Sequence, residues 1–220
     1  MLYRISRASK EICNHLGVSH ASVLARASLP ADYLDCENQG VDASTCYSLW
    51  RALEAEFKDP EMPLMLGQDR GKHSSSVSVV AFACSTDISS GFERLALFRA
   101  LSSPGSLDLK RTEQGLSIKL VAPDPSVEVP DGYFLYSLVY LVEMLRFYSQ
   151  MHIVPLSISW PAYSNIDAKL ESYFGLANSN TGAVELLIST ENARLKLVTE
   201  SDTIWRNACL LYTSPSPRDS

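Results

Sequence analysis

The chain lacks the short patterns that carry most protein chemistry. No C-x-x-C, H-x-x-x-H, H-E-x-x-H or C-x-x-C-H occurs in its 220 residues. Zinc and covalent haem therefore have no ligand spacing to hold them, and no cofactor is expected. His15, His20, His73 and His152 are scattered, and His15 and His20, five apart, do not share a helix face. There is no G-x-G-x-x-G, no Walker sequence and no G-x-S-x-G, so nucleotide binding and a serine nucleophile on an elbow have no motif either. Carboxylate pairs such as Asp59 and Glu61 sit at helix ends, where they complement the backbone dipole. The chain is not expected to be an enzyme.

Positive charge and long apolar runs are also short. The formal net charge is −6, which argues against a surface built overall for nucleic acid or anionic lipid. No stretch reaches the roughly 20 apolar residues of a membrane span, and the N-terminus MLYRISRASKEIC has no signal-peptide core. The five cysteines, Cys13, Cys36, Cys46, Cys84 and Cys209, are odd in number and read as reduced, mostly buried thiols. A cytoplasmic protein with no membrane partner is expected.

What the chain does have is one strongly apolar helix, Gly132 to His152. Phe134, Leu138, Leu141, Leu145 and Tyr148 recur at helical spacing, and so do Tyr133, Tyr136, Tyr140, Met144 and Phe147. Only Glu143, Arg146 and Gln150 form a polar stripe. A helix apolar around most of its circumference is buried on several sides, so this one is the expected core helix.

Before it, residues 1–35 read as short helices broken at Gly17, with Ser19 as a cap, and Pro30 closes the unit. Asp42 is a natural N-cap for a helix over 43–58, with Cys46, Leu49, Trp50, Leu53 and Phe57 on one face. Met62 to Leu66 predicts a further turn or two closed by Gly67, and the polar run 68–76 predicts a loop. Val77, Val80, Ala81 and Cys84 space as a small-residue helix, and Asp87 caps another over 89–102.

At Ser106 the period changes to two. Leu107 and Leu109, then Leu116, Ile118 and Leu120, alternate with polar residues around Thr112 to Gly115, predicting a β-hairpin. After the core helix, Val154 to Trp160 predicts a third strand. Ser164 and Asp167 have capping-box spacing ahead of a helix ending at Gly175. Val184, Leu186 and Ile188 predict a fourth strand, and Thr199 with Asp202 repeats the capping-box spacing before a last helix. The fold class is α+β: a helical part over 1–104, then β-β-α-β-α-β over 105–208 with a mostly antiparallel sheet.

Residues 209–220, CLLYTSPSPRDS, break the helical pattern and resemble the translated sequencing-adapter tails found in metagenomic gene catalogues. They are expected to be non-native.

Aromatic side chains supply the candidate site. Trp50, Phe82, Phe98, Tyr133, Tyr136, Tyr140 and Trp160 are read as lining for a small-molecule pocket, with Arg99 or Arg146 as an anion anchor. The six ligand-binding candidates are Trp50, Phe82, Phe98, Arg99, Tyr136 and Trp160. Stripes of this kind also make plain core. A second candidate is the helix-turn-helix spacing of Glu11 to Ala27. Ser19, His20 and Ser22 would start a recognition helix. Over residues 1–28, Arg4, Arg7, Lys10 and Arg26 stand against Glu11, a local sum of +3.

Several segments, in order, resemble the N-terminal regulatory domain of AraC-type transcription regulators, in the group labelled arabinose-binding-like. They are VLARASLPADYLD, LWRALEAEFKDPEMPLMLGQ, GFERLALFRALSS before a hairpin, then VPLSISWPAY, YFGL and ENARLKLVTESDTIW. The resemblance covers about residues 10–206. It implies an effector-binding and dimerisation domain that works as a homodimer on an unknown small-molecule effector. It also implies that DNA contact belongs to a C-terminal helix-turn-helix domain missing from this chain, with Ser19, His20 and Ser22 inside the regulatory domain. The alternative is a stand-alone small-molecule-binding or scaffold domain without a DNA role.

Overall fold

The computed structural model describes residues 2–33, 35, 40–74, 76–124, 126–163 and 166–213. Cys36, Ser164 and residues 214–220 lie outside them. Six helices come first: α1 (Ser6–Leu16), α2 (His20–Arg26), α3 (Ala43–Phe57), α4 (Met62–His73), α5 (Val77–Ala83) and α6 (Ile88–Ser102). The hairpin β1 (Ser106–Arg111) and β2 (Gly115–Val121) follows, then α7 (Asp131–Ser149), β3 (Ser157–Ser159), α8 (Asp167–Phe174), β4 (Glu185–Ser189), α9 (Thr190–Ala193) and α10 (Asp202–Thr213). The β-β-α-β-α-β order is the one the sequence predicts. The strands form one antiparallel sheet in the order β1-β2-β4-β3, with Leu109 opposite Ile118 and Ile118 opposite Leu186.

Local chemistry starts most helices where expected. The Asp42 carboxylate accepts from Thr45 N at 2.7 Å, and Asp87 and Ser90 close a reciprocal capping box on α6. Gly17 ends α1 in the left-handed region that glycine enters without a Cβ penalty.

Four expectations need correction. Helix α4 does not stop at Gly67. It runs through Gly67 and Gly71 to His73, over residues expected to be a loop. Both glycines face α7: a Cβ on Gly67 would lie 2.7 Å from Val139 Cβ, and one on Gly71 2.7 Å from Glu143 Cβ. They are contact points that let two helix backbones approach, and the packing outweighs their poor helix propensity. Strand β3 is three residues rather than seven, because only Ser157–Ser159 faces β4. Thr199 does not cap α10. Its hydroxyl donates to Ala83 O at 2.7 Å, and Ser201 Oγ accepts from Ile204 N instead. Finally, α10 continues through Cys209 to Thr213, past the predicted break.

Two apolar cores meet at α7. One joins Val79, Phe82, Ile88, Phe92 and Leu95 of α5 and α6 to the inner sheet face (Leu116, Ile118, Leu186, Ile188), with Leu135, Leu138, Leu141, Val142 and Leu145 of α7. The other holds Cys13, Val23, Leu24, Leu49, Trp50, Leu53, Met62 and Leu66 of α1 to α4, with Tyr133 and Tyr136 of α7 packed against it. So α7 gives aliphatic residues to the sheet, tyrosines to the helical unit, and Val139 and Glu143 to α4. Two members of its polar stripe, Glu143 and Arg146, are satisfied by protein partners, and Gln150 is exposed. Glu143 pairs with Lys72 at 3.0 Å and accepts from Tyr173 Oη at 2.7 Å. Arg146 donates to the carbonyls of Ile153, Tyr173 and Phe174. Among the described residues no helix is long and apolar enough to cross a membrane, and Cys13, Cys46 and Cys84 are buried free thiols.

Candidate functional site

A cavity of about 780 Å³ opens where the two cores meet. One wall is α1 and the strand-like entry before it, with Ile5, Ile12 and Cys13. A second is α3, with Leu49, Trp50 and Leu53. Arg99 of α6 and Tyr133, Tyr136 and Tyr140 of α7 also line it. Ser74 and Ser76, between α4 and α5, and Ser78 of α5 complete the polar lining. The size falls within the range of small-molecule sites.

The tyrosines share one side of the cavity because they sit at i, i+3 and i+7 on α7. Trp50 meets them from α3, its ring centroid 5.3 Å from that of Tyr133 and 5.1 Å from that of Tyr136. Tyr136 and Tyr140 are 6.0 Å apart. Desolvation raises the pKa of all three phenols, so they present neutral hydroxyls and ring faces at neutral pH. Tyr133 Oη is 2.6 Å from Ser103 Oγ. Ser74, Ser76 and Ser78 form a hydroxyl chain with oxygen separations of 3.3 and 3.0 Å.

The charged lining is four arginines (Arg4, Arg7, Arg70, Arg99) against one acid, Glu11. Glu11 is already engaged. It accepts from Arg7 Nε at 2.9 Å and Arg70 Nη2 at 3.1 Å, and these bonds, Arg7's first, hold its carboxyl below the usual range. Arg99 differs from the other three. It is 6% exposed. Among the described residues its guanidinium makes one hydrogen bond, from Nη2 to Ser137 Oγ at 3.2 Å, and Nε is buried with no partner. No described ion pair includes it.

Of the six sequence candidates, Trp50, Arg99 and Tyr136 line this cavity, and the other three lie elsewhere. Phe82 is fully buried against Phe92 in the sheet core. Trp160 is buried against Phe174, its indole N–H donating to Asp167. Phe98, the neighbour of Arg99 on α6, packs edge-on to Trp205 of α10 at 5.7 Å. Arg146, the other suggested anchor, is occupied by backbone carbonyls. Arg70 and the three serines were missed. Arg70, Ser74 and Ser76 fell in the stretch read as a polar loop, and Ser78 in the small-residue helix that follows it.

The possible DNA-reading trio is built differently. Ser19's hydroxyl caps α2 by accepting from Ser22 N at 3.3 Å. His20 Nε2 is buried without a partner, and desolvation, then the charge of Lys10, holds its pKa below the usual value. Val23 and Leu24 bury the inner face of α2 in the helical core.

Comparison with known proteins agrees with the fold. The family described as the arabinose-binding domain of AraC transcription regulators, N-terminal, matches residues 17–192. The crystal structure of the transcriptional regulator CdpR from Pseudomonas aeruginosa superposes with a TM-score of 0.57 at 14% sequence identity. The match covers 93% of this chain and 61% of that one. No curated protein matches the sequence.

Proposed function

The chain belongs to the N-terminal arabinose-binding domain family of AraC transcription regulators, and from that premise we propose that it is the effector-sensing and dimerisation part of such a regulator. The effector is a small molecule bound in the cavity between α1, α3, α6 and α7. DNA is contacted by a C-terminal helix-turn-helix domain beyond this chain, and the regulator works as a homodimer in the cytoplasm. Ligand occupancy changes the relative stability of two arrangements of the paired DNA-binding domains, which is the coupling free energy that allostery requires. The domain catalyses nothing.

The observation that carries this reading is the cavity itself. It lies at the joint between two cores, is walled by aromatic rings, and contains a buried arginine that no acid pairs with among the described residues. Apolar walls with a few fixed polar groups are how small-molecule sites obtain affinity and orientation.

Gel-shift titration tests the division of labour. This chain alone is expected to give no sequence-specific shift on the regulator's own promoter, whereas the regulator extended by its DNA-binding domain gives one that responds to effector. A tight, specific shift by this chain would overturn the reading and return Ser19, His20 and Ser22 to the front.

A further inference from the structure

We infer that the cavity selects an organic carboxylate with an aromatic ring, and that Arg99 is the residue that makes the selection. The inference rests on the cavity being the effector site and names the chemical class it takes.

Arg99 is the first reason. A guanidinium keeps its charge inside a protein, and burying a charge without a counter-ion is costly. Here the only described partner is the neutral hydroxyl of Ser137, and Nε is left with nothing. Nε lies on the same edge of the guanidinium as Nη2. Such an edge carries two parallel N–H groups, the fork that a carboxylate accepts side-on once the side chain turns its buried Nε towards the cavity. A neutral sugar hydroxyl satisfies one of them and leaves the charge unbalanced.

The second reason is the field of the lining. Four arginines face one glutamate, in a chain whose net charge is −6. That glutamate is held between Arg7 and Arg70, so it does not compete for Arg99. A pocket of this sign enriches anions at its mouth and disfavours cations.

The third is the shape of the chemistry beside the anchor. Trp50, Tyr133 and Tyr136 form a run of rings 5.1 to 6.1 Å apart between centroids. Rings at these separations present faces and edges to a planar guest. The aliphatic residues Ile12, Leu49 and Leu53 add apolar surface to the same lining.

The test is isothermal titration of the whole chain with matched probes: indole-3-acetate, indole-3-acetamide, decanoate and L-arabinose. Wild type is expected to bind indole-3-acetate about ten- to a hundredfold tighter than the amide, the scale of a charge-assisted fork. In Arg99→Gln that advantage shrinks to within about threefold. Loss of folding in that variant leaves the acid-to-amide ratio of wild type as the decisive number. Equal affinity for acid and amide, or preference for L-arabinose, overturns the carboxylate inference while the cavity remains an effector site. Decanoate binding tighter than indole-3-acetate overturns the aromatic half. Binding of none of the four overturns the inference.

Discussion

The guanidinium of Arg94 sits 4.2 Å from the ring centre of Trp205, and Phe98 meets the same ring edge-on at 5.7 Å. Both belong to α6, while Trp205 belongs to α10. The same α6 carries Arg99 into the cavity on its other side. One helix therefore touches both the candidate cavity and the last described helix.

Removing half of that clamp is expected to loosen α10 locally. Arg94→Ala should raise amide hydrogen exchange across Asp202–Thr213 while changing global stability by no more than about 1 kcal/mol, the size of an exposed cation–π contact. Exchange unchanged in α10 would mean that the clamp does not hold it.

The glycine pair of α4 gives a sharper stability test. Alanine is the better helix former by roughly 1 kcal/mol, yet Gly67→Ala and Gly71→Ala are each expected to destabilise the protein. The added methyl meets Val139 or Glu143 at 2.7 Å, and overpacking costs about 1–3 kcal/mol. Denaturant midpoints that rise for either variant would show that the helices can part freely.

Much of this architecture was legible in the chain, and the failures share a cause. Asp42 and Asp87 announced their helices because a cap is a local hydrogen bond. The hairpin was visible because Leu107, Leu109, Leu116, Ile118 and Leu120 alternate. The true length of α4 was hidden because Gly67 and Gly71 signal a break locally, and only the presence of α7 turns them into contacts. The site was half readable for the same reason. Helical spacing says that Tyr136 and Phe82 are buried, but not that one meets a cavity and the other a core. That is decided by which elements, distant in sequence, pack together.

Arg146 is expected to be structural. It donates to Ile153 O at 2.8 Å and to Tyr173 O and Phe174 O at 3.0 and 3.3 Å, where the last carbonyls of α8 lack helical partners. Arg146→Ala should cost about 2–4 kcal/mol. Arg146→Lys should recover only a minor part, because a point-like ammonium cannot span three carbonyls. Full recovery in a melting experiment would contradict this account.

Glu54 supplies a pH prediction. It accepts from Trp50 Nε1 at 2.8 Å and Tyr163 Oη at 3.2 Å, and desolvation raises its pKa despite these bonds. A carboxyl raised on folding favours the folded state while protonated. That contribution is complete below the unfolded value and is lost as pH rises through the folded value. Both donors are neutral, so Glu54→Gln keeps the acceptor. The variant is expected to be at least as stable as wild type at pH 7, with its relative advantage shrinking as pH falls through the raised folded value and gone below the ordinary carboxyl range. An advantage that grows towards acid would reverse the sign.

The most direct measurement of the central claim is a crystal structure of this chain with indole-3-acetate. The account predicts the carboxylate within hydrogen-bond distance of Arg99 Nε, and the indole against Trp50, Tyr133 and Tyr136. Density for the acid anywhere else, or Arg99 paired to a protein carboxylate in the occupied cavity, would contradict it.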